Sequence, residues 1–343
     1  MNAALPLFPE SLMTASLASS SPAHRGFRPW VRRLWVLTGH TFTQLVRMKV
    51  FYFLLVFSLI MFVAGFVQSS ITPDAELKLV KDTSFGVMQI FGALFGIVGM
   101  ALLLPKDIED RTLYTILSKP VRRYEYLLGK YFGVLAVLAV SLVIMHVMAC
   151  GVLHVKYSVL VADEMQGLEE ALAKGKLNAE SFELAKEEAL GKASLQGIRP
   201  DLHMAVVAIF LKAAVITAVA MAVSTFAGST IFTLLATLSI YVIGHLQATA
   251  RESFLAPPRQ PLMQQMQAGE AAPPAPAGSV PLRLATGIVA VIFPDFQVYN
   301  VVDAVVEGKT LTWKAIGKMG ALSALYLAIY LGAAIFLFAE KEL

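Results

Sequence analysis

The chain has 343 residues and a formal net charge of +4; 57% of its residues are hydrophobic, only 15% are charged, and the mean hydropathy is +0.67. A soluble domain of this size carries roughly 25% charged residues, so an ordinary soluble enzyme or binding module is excluded, and a nucleic-acid partner is not expected. The apolar residues fall into runs long enough to cross a hydrocarbon core, which takes about 20 residues.

Residues 1–29 are rich in Ala, Ser, Leu and Pro, with no basic residue before Arg25. A cleaved signal peptide needs a basic start, an apolar middle and a small-residue cleavage site, so this segment reads as a disordered tail. Residues 30–49 mix Trp30, Arg32, Arg33, Trp35, His40, Arg47 and Lys49 with Leu34, Leu37, Phe42, Leu45 and Val46. That pattern predicts a helix lying in the headgroup layer. The first two spans are expected over about 50–68 and 85–104, joined by a short polar loop. Gly92 and Gly96 in the second have the small-xxx-small spacing that lets another helix come close. The alternative is that they are glycines merely tolerated in a membrane helix.

Pro105 is expected to end the second span, and residues 105–130 then hold Lys106, Arg111, Lys119, Arg122, Arg123 and Lys130 between two spans. Short loops with this bias stay in the cytoplasm. A third span is expected over about 131–153. Residues 156–202, with nine carboxylates and six cations, then predict a helical hairpin in water. In it Glu170 with Lys174, and Glu188 with Lys192, have the favourable helical spacing. Asn178 is placed to cap the second arm, and Gly175 and Gly197 to stop the two arms.

Spans four and five are expected over about 204–226 and 229–247, with a tight turn at Gly228. Seven prolines between Pro257 and Pro281 exclude a packed helix there. The apolar run 284–293 is too short to span and reads as re-entrant or interfacial. A sixth span, about 320–338, precedes a charged tail. The sum is an all-α polytopic membrane protein: a tail (1–29), an interfacial helix (30–49), spans 1–3 with the loop 105–130 (50–153), an extracytoplasmic helical insertion (154–203), spans 4–5 (204–247), an outer Pro-rich loop with a re-entrant segment (248–319), and span 6 with its tail (320–343). Cations before the first span outnumber those in the loop after it, which puts both termini in the cytoplasm of an inner-membrane protein.

Phosphate-binding motifs are absent. Gly308, Lys309 and Thr310 end a G-x-x-x-x-G-K-[ST] pattern whose first glycine is Asp303, and Gly129-Lys130 fails likewise at Tyr124 and Tyr131. No nucleophile elbow or zinc-helix motif is present either. His146, Cys150 and His154 recur every four residues near the outer end of the third span. They read as copper or zinc ligands, or else as a packed histidine, a small apolar filler and an interfacial histidine. Lys212 and His245 place polar groups inside spans, either snorkelling or structurally paired, or lining a transport path.

The order Ile108-Glu109-x-x-Thr112-Leu113, then Leu117-Ser118-Lys119-Pro120-Val121-x-Arg123, then Leu128-Gly129-Lys130, resembles the loop between the second and third spans of type-2 ATP-binding cassette (ABC) permeases. Phe293-Pro294-Asp295-Phe296-x-x-Tyr299-Asn300 is similar to the segment before the sixth helix in such permeases. The family usually has Gly before the Thr, where this chain has Arg111. The resemblance implies that Glu109, Arg111, Thr112, Leu113, Leu117, Ser118, Pro120, Arg122 and Arg123 dock on a separate ATPase subunit, which carries the ATP and Mg. This chain would then bind no cofactor, would not be an enzyme by itself, and would work as a homodimer or heterodimer with a second permease subunit. An extracytoplasmic partner for the outer hairpin is a further expectation. The plainer alternative is a solvated loop whose cations fix topology and touch anionic lipids. Two other readings are a membrane component for maturation of an extracytoplasmic metalloenzyme, and, from a different class, an ion-coupled carrier or intramembrane enzyme. The last lacks any Asp or Glu in the expected spans.

Overall fold

A computed structural model describes residues 27–67, 73–109, 121–227, 229–255 and 293–340. Every regular element in them is helical: α1 (Phe27–Val46), α2 (Lys49–Val67), α3 (Pro73–Glu109), α4 (Arg123–Ala173), α5 (Ala179–Gln196), α6 (Pro200–Ala227), α7 (Thr230–Leu255), a 3-10 turn (Phe296–Tyr299), α8 (Val302–Val306) and α9 (Trp313–Glu340). The tail before Phe27, the centre of the basic loop (110–120), the turn at Gly228 and the Pro-rich segment with most of the run 284–293 lie outside the described residues.

Four helices are long and apolar enough to cross a membrane, within Ala75–Asp107, Arg123–Ala173, Pro200–Ala227 and Trp313–Glu340. A fifth follows if α1 and α2, bent by 62° at the break between them, form one span. This is the build of a multi-pass membrane protein, with four to five such helices where the sequence suggests six. The apolar part of α7, Thr230–Leu246, is shorter than the others; its length of about 25 Å at ~1.5 Å per residue falls short of a ~30 Å hydrocarbon core.

The core forms around α6. Alanines and valines cover this helix on all sides, and Ala205, Ala208, Val215, Ala218 and Ala220 are fully buried, as expected of a helix without a polar face. Its small side chains let α3 and α9 pack along it. Gly92 of α3 faces Ala213, where an added Cβ would stand 3.2 Å from the Ala213 Cβ; Gly96 lies directly against Thr217. Because Gln89, Gly92 and Gly96 meet Lys212, Ala213 and Thr217 in rising order, α3 and α6 run parallel.

α4 runs antiparallel to α3, and α1 lies parallel to the start of α4. Leu37 of α1 sits against Gly129, and Thr41 against Gly133. Residues 30–46 therefore form a helix docked on the protein along one face, while Arg32, Trp35, Val36 and His40 remain exposed on the other. Glycines spaced by four carry this second close contact too, a pairing the composition of the loop conceals.

Several boundaries differ from the sequence reading: α3 already begins at Pro73, so most of the expected polar loop before residue 85 is helical, and α9 begins at Trp313 rather than near 320. Pro105 does not end α3, which continues to Glu109; the proline removes one N–H, but Asp107 beyond it is drawn into a buried ion pair. α4 begins at Arg123 rather than near Tyr131, with Glu125 accepting the Arg122 main-chain N–H at 3.2 Å. It then runs unbroken through the expected boundary at 153 to Ala173, about 75 Å in all, since no proline or glycine pair interrupts residues 154–173. The chain reverses at Gly175 (φ 69°), a left-handed conformation glycine adopts without strain. Asn178 caps α5 by accepting the Ser181 N–H at 2.7 Å, and α5 packs back on α4 and α3. Lys174 pairs with Glu170 at 2.8 Å; the Lys192 side chain lies outside the described residues.

Replacing Gly96 by Leu is expected to lower the unfolding midpoint in detergent, by overpacking worth about 1–3 kcal/mol. Gly167→Leu, at an exposed α4 position with nothing within 4 Å, is expected to leave it unchanged or raise it. Equal midpoints for the two variants would show that the α3–α6 contact is not tight.

Candidate functional site

The basic loop leaves the bundle at Glu109 and re-enters at Arg122, and the side chains that meet at these two stems form a continuous polar layer. Tyr126 and Lys130 lie one turn apart on the same face of α4, turned toward the last turns of α3. There Asp107 accepts the Tyr126 hydroxyl at 2.5 Å and pairs with Lys130 Nζ at 2.6 Å. Lys130 also donates to Gln44 Oε1 of α1 at 2.8 Å and lies 5.6 Å from the Tyr126 ring centroid. The side chains of Lys130 and Asp107 are 4% and 8% exposed, so this is a buried pair whose desolvation is offset only because the tyrosine and the amide join it.

One turn closer to the loop, Glu125 is fully buried and accepts both Nε (3.1 Å) and Nη2 (3.0 Å) of Arg33 from α1. A two-pronged guanidinium contact of this kind fixes orientation as well as distance. Arg123 reaches the far side of the bundle, donating to the carbonyls of Phe338 (3.3 Å) and Ala339 (3.0 Å). These belong to the end of α9, where a cation satisfies free carbonyls and complements the helix dipole. The stems thus join α1, α3, α4 and α9.

Of the residues expected to dock, Arg122 stands at the start of α4, exposed, with its guanidinium 3.2 Å from the Tyr124 hydroxyl. Arg123 faces inward to α9. Glu109 ends α3, and its side chain lies outside the described residues, as do Arg111, Thr112, Leu113, Leu117, Ser118 and Pro120. The sequence reading missed Arg33, Gln44, Asp107, Glu125 and Tyr126. The available signal was the carboxylate at each edge of an apolar run: Asp107 just past Pro105, and Glu125 at the third position of a helix, where it meets free N–H groups.

A second polar cluster lies nearer the middle of the bundle. Lys212 is buried and does not snorkel; its Nζ donates to Gln89 Oε1 of α3 (2.9 Å) and meets His245 Nε2 of α7 (2.9 Å). His245 Nδ1 lies 3.3 Å from the Tyr241 carbonyl. Above it, the Phe296–Tyr299 turn forms a lid. Gln297 donates to the His245 carbonyl at 2.9 Å, Asp295 Oδ1 accepts the Gln297 N–H at 3.0 Å, and the Tyr299 hydroxyl bonds Ser323 of α9 at 2.8 Å. Gly244 makes room for this lid, since a Cβ there would meet the Phe296 ring at 2.6 Å.

The stripe of His146, Cys150 and His154 does not converge. His146 Nε2 bonds His203 Nδ1 of α6 at 2.7 Å, with Cys150 Sγ 3.6 Å from the same nitrogen. His154, two turns from His146, instead borders a cleft with Tyr157, Ser194, Gly197 and Ile198 between α4 and α5. Successive turns of one helix point their side chains at different heights, and no group of three or more His, Cys, Asp or Glu able to hold a metal occurs among the described residues.

No known family model matches this chain, and no curated protein matches it.

Asp107→Asn leaves the buried Lys130 without its anion and is expected to destabilise the protein by about 3–5 kcal/mol, as Lys130→Met does for Asp107. The double variant Asp107→Asn with Lys130→Met leaves neither charge unpaired and should recover most of that loss. Denaturant unfolding of the four proteins in detergent reads the coupling; additive losses would mean that the two charges do not depend on each other.

Proposed function

We propose that the chain is the membrane-spanning permease subunit of a type-2 ABC transporter that extrudes its substrate while a separate subunit hydrolyses ATP. The observation that carries this reading is the clamp at the loop stems. A loop that only set topology would need its cations and no anchorage; here each stem is locked by buried charge to several helices. A push on residues 110–120 would pass through Asp107 and Lys130 to α3 and α4, through Glu125 and Arg33 to α1, and through Arg123 to α9.

In this reading the loop end is cytoplasmic, α2 and α7 complete a set of six spans, and a second permease subunit supplies the other wall of the pathway. The part of α4 beyond residue 153, with α5, then stands about 30 Å outside the membrane, where it is free to meet a substrate or an extracytoplasmic partner. ATP binding closes the partner subunits, the loops move with them, and the interface between the two permeases opens outward. The loop motif resembling the family's docking loop and the short 3-10 turn before α9 agree with this assignment.

Affinity purification of the full chain from its own membranes is expected to recover an ATPase with a phosphate-binding loop, and Leu113→Asp with Leu117→Asp to remove both that subunit and the ATP hydrolysis. Recovery of no such subunit, or its retention by the loop variant, overturns the reading. Orientation has its own test on a Cys150→Ser background. A cysteine at Glu169 should react with a membrane-impermeant maleimide on intact cells, and one at Lys119 only after permeabilisation; the reverse pattern inverts the topology.

A further inference from the structure

Among the described residues, no carboxylate pairs with the buried Lys212. Its two hydrogen-bond partners, Gln89 and His245, are neutral acceptors; because His245 Nδ1 faces the Tyr241 carbonyl, the Nε2 toward Lys212 carries the lone pair. The Tyr241 ring, 6.0 Å from Nζ, adds only a π face. No described carboxylate forms an ion pair with it. Asp295 acts on His245 from the lid side and accepts the Gln297 N–H, but it makes no hydrogen bond to Lys212. A cation buried among apolar helices is costly unless an anion or water meets it.

A second feature leads to the same place. On α3, Lys78, Asp82, Gly86 and Gln89 recur every three or four residues and so share one face. Asp82 is exposed, the other three are half-buried, and nothing comes within 4 Å of where a Gly86 side chain would begin. This polar stripe descends from the hairpin end of the bundle to Lys212. Directly after the cluster's own residues stand exposed apolar side chains: Ile90 follows Gln89 on α3, and Val242 and Leu246 follow Tyr241 and His245 on α7. A polar track bordered by such residues is unsuited to plain lipid contact and suited to a molecule with a charged head and an apolar body.

We propose that Lys212, Gln89 and His245 form an anion site, reached along the α3 stripe, for the phosphate or carboxylate head of an amphiphile whose apolar part lies against Ile90, Val242 and Leu246. An oxyanion oxygen taking the place of the Gln89 carbonyl would give the ammonium its counter-charge. The 3-10 turn over His245 then closes the site from the hairpin end. That this amphiphile is cargo rests on the transport reading; the binding itself does not.

The test uses the full chain in nanodiscs of zwitterionic lipid, with dodecyl phosphate as the probe and dodecyltrimethylammonium as its cationic counterpart. Dodecyl phosphate should bind saturably, and Lys212→Met should weaken it by about tenfold or more while Lys212→Arg stays within about threefold. Gln89→Glu, nearly isosteric, installs a resident counter-ion and should also weaken binding by about tenfold, which keeps the idea testable if Lys212→Met does not fold. Equal binding by wild type and either of these two variants, or equal binding of the anionic and cationic probes, overturns the anion site. Displacement by inorganic phosphate at matching concentration would support the anion site and overturn its amphiphilic ligand. Association with an ATPase should be unchanged in Lys212→Met, so a failure here is separable from a failure of the transport reading.

Discussion

The close approach of α3 to α6 constrains everything else in this bundle. With glycine at 92 and 96 and alanine at 213, the two backbones meet with almost no side chain between them. In a bilayer, where apolar side chains gain little by leaving lipid, such backbone-to-backbone packing supplies much of the cohesion between helices. It also sets the register. Gln89 arrives opposite Lys212, and the far end of α3 carries Asp107 to the depth at which α4 presents Tyr126 and Lys130.

The two polar clusters then have distinct characters. At the loop stems the described buried charges are matched: Asp107 with Lys130, Glu125 with Arg33, and Arg123 with the carbonyls that end α9. A matched network costs much to break on one side and holds its members in one arrangement, which suits a part that must transmit displacement without yielding. At Lys212 the described partners are neutral groups, Gln89 and His245, and the cluster lies beneath a turn seated on Gly244. A buried cation without a described counter-ion gains from the arrival of an anion, which is the basis of the site proposed there.

Between the clusters, α4 couples the two ends of the molecule. One continuous helix runs from the clamp at Glu125 to the turn at Gly175, so a tilt imposed at the loop end is carried to the far end with little bending in between. Lys156 of α4 is paired there with Glu76 at the start of α3. Arg199 and Asp201 hold the strand of chain at 308–311, through the Gly308 carbonyl at 2.9 Å and the Leu311 N–H at 3.0 Å. Both ends of the α3–α4 pair are therefore fastened by charge.

By itself, the sequence determined that the chain is helical and rich in membrane-length apolar segments, that a helix mixing aromatic and basic residues precedes them, and that Asn178 and Gly175 shape the turn into α5; that this first helix docks along α4 came from the structure. Those features depend on composition and on neighbours within a few residues, which a linear reading contains. It also marked Gly92 and Gly96, Lys212 and His245, without telling packing from tolerance or a paired charge from a snorkelling one. Only the tertiary structure decided that Pro105 lies inside a helix, that α4 runs on past 153, that His146 faces His203 rather than His154, and that Asp107, Glu125, Arg33 and Gln44 share one layer. Apart from the run of α4, which follows from the lack of a breaker in 154–173, each of these turns on a partner between 19 and 92 residues away in the chain, and the energy of a buried charge is set by such partners rather than by the residues beside it.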